Sequence, residues 1–419
     1  MTIGSGSRVA VIGAGISGVT TAYVLLKRGC IVSIFDKHPY AAMETSYANG
    51  GQLSASNAEV WNSWSNVGKG LRWMFSPTAP LLINPKVSLH KLSWLAEFVA
   101  AIRNYEDNTI ATARLAIEAR RHLLRIAEDE NIQFDCERRG ILHVYRSKTE
   151  FDEAAKVTKL LSRAGLERHA VSAADIRSIE PALKGDYFAG FFTPSDFSGD
   201  IHKFTNELMR ACERLGVERH TSTEVTRISP DADHVDLTFR SASVAMEGNV
   251  FPAQVRRFDR VVVCAGVMSG ELARQCRDRI NVYPVKGYSI TLALEEQSDQ
   301  DAAPWVSLLD DRAKIVASRL ARNRYRVAGT AEFNGFNHDI RADRIAPLVA
   351  WCRENFPNMS TRGMAPWAGL RPMMPDMLPR VMHGKNPRVI YNTGHGHLGW
   401  TLSAATAEYA GDLALVNAG

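Results

Sequence analysis

The chain opens on an apolar run, Val9-Ala10-Val11-Ile12, that passes straight into Gly13-Ala14-Gly15-Ile16-Ser17-Gly18 and then into helix-forming residues as far as Lys27. A second apolar run, Ile31 to Phe35, stops at Asp36. Downstream the apolar positions change repeatedly between a period near 3.6 and a period of 2, the signatures of helix and strand. This pattern predicts helices over 111–131, 149–164, 202–216, 345–355 and 402–418. It predicts strands over 141–145, 188–193, 217–228, 235–239, 260–266, 288–294, 325–329 and 389–393. The run Val261-Val262-Val263-Cys264-Ala265-Gly266 is apolar at every position, as suits a central parallel strand covered on both faces, and its small final residues permit close approach of a ligand.

A length of 419 residues favours two domains over one core. The opening βαβ unit, the middle of the chain and its end read as one domain, over 1–60, 195–270 and 362–419. A mixed α+β domain is interleaved over 61–194 and 271–361. Only the first seven residues, small and polar, read as unstructured. A net charge of +5 from dispersed basic residues argues against a nucleic-acid interface. No charged n-region and apolar stretch precede the glycine-rich turn, so no secretory signal is expected and the protein is placed on the cytoplasmic side. The six cysteines lack CxxC or CxxH spacing, which argues against structural zinc and a disulfide framework. Reduced thiols are the simple reading, with a covalent link to a cofactor through one of them as the alternative.

One region changes this picture. Trp61, Trp64, Trp73 and Trp94 fall close together with Leu71, Met74, Phe75 and Leu81-Leu82-Ile83, and Leu92, Leu95, Val99 and Ile102 follow at helical spacing. No stretch reaches the roughly 20 apolar residues of a spanning helix. The segment over 61–102 is either core beneath a long loop or a patch resting on a membrane, where Lys69, Arg72, Lys86 and Lys91 would meet anionic headgroups.

The chemistry concentrates in the first turn. Gly13 allows a tight bend, Gly15 brings the backbone close to a pyrophosphate, Gly18 lets the helix pack on the sheet, and the helix N-terminus faces phosphate charge. Asp36 is placed to accept hydrogen bonds from a ribose and repels a 2′-phosphate, which favours FAD or NAD over NADP. Near the other end, Gly394-His395-Gly396-His397-Leu398-Gly399-Trp400 precedes the last helix. A helix starting near Leu398 aims its N-terminal dipole at the N1 and O2 edge of a flavin, which accumulates negative charge on reduction.

With these segments placed, the chain resembles the D-amino-acid oxidase-like family of FAD oxidoreductases, on the branch of bacterial D-amino-acid dehydrogenase flavin subunits. The resemblance spans nearly the whole chain. It is carried by the glycine-rich turn, by Glu44-Thr45-Ser46-Tyr47-Ala48-Asn49-Gly50-Gly51-Gln52-Leu53-Ser54, by Tyr283-Pro284-Val285-Lys286-Gly287-Tyr288-Ser289-Ile290, by Trp367-Ala368-Gly369-Leu370-Arg371-Pro372-Met373-Met374-Pro375-Asp376, and by Asn392 to Thr401. The sequence departs from the family pattern at Gly50, at His397, where a small polar residue is usual, and over 54–64.

The resemblance implies an α/β fold with a Rossmann-like FAD-binding domain and an interleaved α+β substrate domain, of the glutathione-reductase and D-amino-acid-oxidase type. It implies FAD as cofactor, held by Gly13, Gly15, Ile16, Ser17, Gly18, Asp36 and Lys37 at the nucleotide end. Thr45, Ser46, Asn49, Gly50, Gly51 and Gln52 would lie along the ribityl chain and ring. Val225, Ala265 and Gly266 would complete the wall, and Gly396, His397, Leu398, Gly399, Trp400 and Thr401 would face the ring edge. No metal is implied. The implied activity is oxidative deamination of D-amino acids by transfer of the Cα hydrogen to flavin N5, giving 2-oxo acid and ammonia, with electrons passed to a quinone-type acceptor. This dehydrogenase would be attached peripherally to the inner membrane, as a homo- or hetero-oligomer; oxidation of a secondary amine acid such as D-hydroxyproline, sarcosine or an opine by the same chemistry is the alternative.

In that chemistry the site positions the substrate more than it abstracts a proton. Arg371 is the expected carboxylate anchor because a planar guanidinium binds bidentately. Tyr288 is a candidate second donor to the same carboxylate, and His395 and His397 are candidates to tune amine deprotonation or flavin charge. Arg319, Arg322, Arg324 and Arg326 are read as a solvated basic face, or as recognition of a second acidic group on the substrate.

Overall fold

A computed structural model of the chain describes residues 6–73, 79–242 and 252–416, apart from the side chains of residues 69 and 71–73. The Lys69, Leu71, Arg72, Trp73, Met74 and Phe75 side chains of the Trp-rich segment therefore lie outside the described residues. The glycine-rich turn sits at the centre of a six-stranded sheet. Its strands run in the order Arg380–His383, Val389–Thr393, Arg260–Val263, Arg8–Ile12, Ile31–Phe35, Glu218–His220, all parallel except the first. Side chains alternate across a strand. Val9, Val11, Val32 and Ile34 enter a core beneath the helices Ile16–Lys27, Ile201–Arg214 and Gly399–Leu415. Ala10, Ile12, Phe35 and Val261 meet Ile228, Leu237, Phe239 and Phe258 of a small antiparallel sheet on the other face. Burial on both faces is the reason these strands read as unbroken apolar runs.

A second sheet of nine strands runs from Ala365–Met373 through Tyr283–Ala293, Arg324–Phe333, Ile315–Arg319 and Ser307–Asp310 to Ile141–Tyr145, Ala189–Thr193 and His169–Ser172. The short strand Leu81–Ile83 is paired to Arg324–Phe333. One face packs on the helix Ala342–Asn355 through Ile290, Tyr325, Val327, Leu348 and Cys352. The opposite face, including Gly287, Val316 and Ala328, borders a large cavity.

Two expectations need correction. The strand expected over 217–228 breaks at Ser222, whose φ is +48°. Its first half, Glu218–His220, edges the six-stranded sheet, whereas Thr223–Pro230 belongs to the small antiparallel sheet, so an apolar alternation that looked continuous serves two layers. The strand Ala365–Met373, expected with the nucleotide-binding segments, is hydrogen-bonded along Tyr283–Ala293 in the nine-stranded sheet. Arg371 thus reaches the cavity from the wall opposite the glycine-rich turn.

Candidate functional site

The cavity, of about 1870 Å³, extends well beyond the roughly 300–1,000 Å³ of an ordinary small-ligand pocket and has room for a dinucleotide together with a substrate. At its nucleotide end Gly13 has a φ of +105°, and a Cβ there would lie 2.5 Å from the Cys264 carbonyl oxygen. A Cβ on Gly18 would lie 1.8 Å from the Gly13 oxygen, so Gly18 holds the helix against the turn and does not itself line the cavity. The helix Ile16–Lys27 starts at Gly15 with no acidic residue in its first turn and no side-chain cap from its N-cap residue. Ser46 reaches in instead, its Oγ accepting from the Ile16 amide at 3.0 Å. Asp36 accepts from the Ala14 amide at 2.6 Å and from the His38 amide at 2.8 Å, which fixes its carboxylate at the rim. Lys37 lies 3.1 Å from Glu44, a carboxylate that burial would raise but that His38 and Lys37 together hold down to about 2. A close backbone approach, a positive helix end with no acid in its first turn and an acid at the second strand fit FAD.

Thr45, Ser46, Asn49, Gly50 and Gln52 line the middle of the cavity, as do Val225, Ala265 and Gly266. Gly51, expected there, does not. It has a φ of +71° and its Cβ position faces Leu320, Ser318 and the Gly199 oxygen, so it turns the chain where Gln52–Leu53 pairs with Phe197–Ser198. The Gln52 amide donates to Ser307 Oγ and to the Leu308 oxygen, both at 2.9 Å, tying this segment to the second sheet. Gly396 and Leu398 lie along the cavity ahead of the last helix, and Gly399 and Thr401 in its first turn, which again carries no acid. Trp400 also lines the cavity, and its indole packs against Phe134 and Phe204 in the core. Cys264 donates its thiol toward Thr21 Oγ1 at 3.8 Å, and burial pushes it up to about 12, which leaves a protonated thiol ill suited to a covalent flavin link.

The reacting end is built on the nine-stranded sheet. Arg371 pairs in register with Val285, and Gly287 with Gly369. The guanidinium lies directly over Gly287, where a Cβ would stand 2.1 Å from Nη1. Its Nη1 donates to the Thr330 carbonyl at 3.0 Å, which a bulge between Lys286 and Tyr288, with Thr330 at φ +57°, turns toward it. Among the described residues no carboxylate pairs with Arg371, and burial alone lowers its pKa to about 10. A desolvated, unpaired guanidinium inside a cavity is an anion site awaiting its ligand.

Tyr288 and His395 do not take the roles expected of them. Alternation puts Tyr288 on the face opposite Arg371 and Gly287. There its hydroxyl donates to Glu332 at 2.7 Å, within a buried cluster in which Lys286 lies 3.3 Å from the same carboxylate. Burial and Glu332 raise its pKa. His395 has both ring nitrogens engaged, Nε2 with Thr406 Oγ1 at 2.9 Å and Nδ1 with Ser17 Oγ at 3.5 Å, so it ties the last turn to the first helix. Burial lowers it to about 4. His397 does face the chamber, stacked on Trp61 with ring centroids 4.9 Å apart.

None of the four arginines of the basic cluster lines the cavity; Arg319 and Arg326 are buried, Arg324 is half-buried and Arg322 is exposed. Arg319 is fully buried, donates to the Gln300 and Ala303 oxygens and stacks 4.1 Å from the Trp305 ring. Arg322 bonds Gln297 and Gln300, Arg324 bridges Asp135 and Asp200, and Arg326 is buried against Thr291.

Sequence reasoning missed Asp196, Arg120, His143 and Lys314. Asp196 is fully buried, accepts from the Ala55 and Ser56 amides at 3.1 and 2.9 Å and pairs with Arg120 at 2.8 Å, so it clamps the segment that carries Asn57 and Trp61 into the chamber. His143 meets Ser56 Oγ at 2.8 Å. Burial, then the charge of Arg168, keeps it well below the usual histidine range. Lys314 lines the chamber paired with Asp311. An acid after a loop proline and a histidine within a strand carry no local signal, since these residues gain meaning only once the chain closes over them.

The Trp-rich segment is divided. Trp94 is core, its indole donating to the Met373 oxygen at 2.9 Å, and Lys91 is buried, donating to the Asn84 and Lys86 oxygens. Trp64, Val87, Leu89, Leu92 and Val99 are exposed. No described helix is long and apolar enough to cross a membrane.

The chain matches the family model DAO, FAD dependent oxidoreductase, over residues 8–413. It is 56% identical over 400 residues to D-amino acid dehydrogenase 3 of Mesorhizobium japonicum, covering 96% of this chain and 95% of that one. It is 36% identical over 406 residues to D-amino acid dehydrogenase of Dechloromonas aromatica, covering 96% and 95%. Its fold is similar to L-proline dehydrogenase from P. horikoshii, with a TM-score of 0.74 at 13% identity over 98% of this chain and 94% of that one. It is also similar to glycine oxidase from Geobacillus kaustophilus, with a TM-score of 0.72 at 19% identity over 97% and 95%. A glycine-rich turn beneath a cavity sized for a dinucleotide and a family match across nearly all of the sequence lead to one conclusion: the chain belongs to the DAO family of FAD-dependent oxidoreductases.

Proposed function

We propose that the protein oxidises D-amino acids at Cα to imino acids, which water converts to 2-oxo acids and ammonia, and passes the electrons to a quinone-type acceptor. The unpaired Arg371 guanidinium carries this reading, because it offers a bidentate site to a carboxylate inside a cavity that also fits FAD. When bound, FAD supplies the two-electron acceptor for the Cα hydrogen. The chain's own work is placement. Arg371 holds the carboxylate, Gly287 leaves the room that the guanidinium occupies, and the Thr330 carbonyl fixes its angle. The Trp61 and His397 rings close one side of the chamber and exclude water. The names of the relatives from Mesorhizobium japonicum and Dechloromonas aromatica support a D-amino acid as substrate. The exposed apolar side chains at Val87, Leu89 and Leu92 support an acceptor drawn from a membrane surface.

Anaerobic bleaching of the bound flavin by D-amino acids, L-amino acids, N-methylated and cyclic amines tests the reading. Reoxidation by oxygen or by a soluble quinone then completes the experiment. Bleaching by primary D-amino acids with recovery through quinone is expected. Bleaching by cyclic or N-substituted amines alone transfers the assignment to secondary amine acids, and no bleaching by any of them removes it.

A further inference from the structure

We propose that His397 accepts a proton from the ammonium group of the bound amino acid, giving the neutral amine that oxidation at Cα requires; the proposal rests on the substrate reading above. The ring plane is set by the stack on Trp61, with the two planes 22° apart. Nε2 lies 3.4 Å from the Asn57 carbonyl oxygen, which can only accept, so the imidazole proton is assigned to Nε2 and Nδ1 keeps its lone pair. Among the described residues no donor is bonded to Nδ1. The same cavity is lined by Arg371, so a substrate whose carboxylate sits on that guanidinium carries its ammonium, bonded to the adjacent carbon, into the chamber that His397 faces.

The step is a proton transfer. The N–H bond of the ammonium breaks with its electron pair left on nitrogen, and an H–Nδ1 bond forms. The imidazolium gives the proton back to water when the product leaves.

The charges around the ring couple this step to binding. Arg371 faces it from the strand Ala365–Met373, and Lys314 faces it from the turn before Ile315–Arg319. Lys314 is itself paired with Asp311 and lies near Glu59 of the segment that carries Trp61. His395, on the same turn, points away to Thr406 and Ser17. In the free enzyme burial first, and then the positive charges of Arg371 and Lys314, hold His397 down to about 4. A carboxylate on Arg371 cancels one of those charges, so the imidazole gains proton affinity only when a substrate is seated.

The variant His397→Asn tests this against wild type in rapid anaerobic mixing of the FAD-loaded enzyme with a reactive amino acid, between about pH 6 and 10. General-base catalysis is typically worth roughly 10²–10⁴-fold, so a slowing of flavin reduction on the order of 10²-fold near neutral pH is expected. The two rates should converge where the substrate's own ammonium is already deprotonated. A second readout uses propionate, which has the carboxylate and no amine. Its binding to the wild type should take up protons near pH 5, and its binding to the variant should not. Unchanged reduction, equal slowing at every pH, or no difference in proton uptake would overturn the proposal while leaving the substrate reading intact. Failure of every amino acid to reduce the wild type would instead remove the substrate reading, and this proposal with it.

Discussion

Arg371 is the residue on which substrate binding turns. Removing the guanidinium in Arg371→Leu forfeits charge-assisted bonds worth roughly 1.5–3 kcal/mol each, so KM should rise by roughly 10²-fold or more with FAD still bound. Unchanged KM in steady-state kinetics would remove the anchor. Gly287→Ala reaches the same group from below, since its Cβ would stand 2.1 Å from Nη1 and would push the guanidinium out of line. This variant should also raise KM while keeping the flavin spectrum. His395 acts on stability instead of binding. Its imidazole protonates near 6.5 in the unfolded chain but only near 4 when folded, because burial disfavours the charge. As pH falls below about 7, the unfolded state takes up a proton that the folded state refuses. Stability is therefore complete above the unfolded value and is lost on acidification, by about 2 kcal/mol at pH 5, with the loss levelling off below the folded value. Denaturant titrations of wild type and His395→Gln across this window should show a shallower pH slope in the variant.

At the scale of elements, the turn from Arg8–Ile12 into Ile16–Lys27 is a single packed unit. Gly18→Ala would place a methyl 1.8 Å from the Gly13 oxygen and open the turn. Purified Gly18→Ala should carry little FAD per protein and unfold at lower temperature than wild type, whereas full flavin content would mean that the turn tolerates the change. This unit was legible in the sequence because its parts are local: strand, turn, helix and acid follow one another within Arg8 to Asp36. The terminal turn was legible for the same reason. The faces of the nine-stranded sheet were not. Alternation along Tyr283–Ala293 shows that Tyr288 and Gly287 point oppositely, but which of them meets Arg371 depends on the register Val285↔Arg371 between strands some eighty residues apart. The burial of Arg319 likewise needed carbonyls at Gln300 and Ala303 to converge on it, and Asp196 needed the Ala55 and Ser56 amides. Residues whose partners are distant in sequence carried no signal of their role.

Among the described residues a large cavity lies between two sheets, with the nucleotide turn on one wall, Arg371 on the other, and parts of the segments Trp61 to Asn66 and Leu81 to Val99 lining it. The latter segment faces two ways. Trp94, Leu95 and Phe98 pack inward with Tyr283 and Phe333, while Val87 and Leu89 remain 70% and 87% exposed and Leu92 50% exposed. Leaving such side chains in water forgoes roughly 1.5–3 kcal/mol each, which a membrane surface would restore. Burial of two leucines at a bilayer boundary would therefore stabilise the proposed attachment by about 3 kcal/mol, or on the order of 10²-fold in partitioning. The FAD-loaded protein should float with vesicles containing anionic lipid. Triple replacement of Val87, Leu89 and Leu92 by Ser should abolish flotation, because it removes exposed apolar surface without touching Arg371, Gly287 or the glycine-rich turn. Substrate should still bleach the flavin of that variant at the wild-type rate, while reoxidation by quinone held in vesicles should slow. Flotation undiminished by the three replacements would move the attachment surface elsewhere, and a wild type that never floats would leave a soluble acceptor as the electron sink.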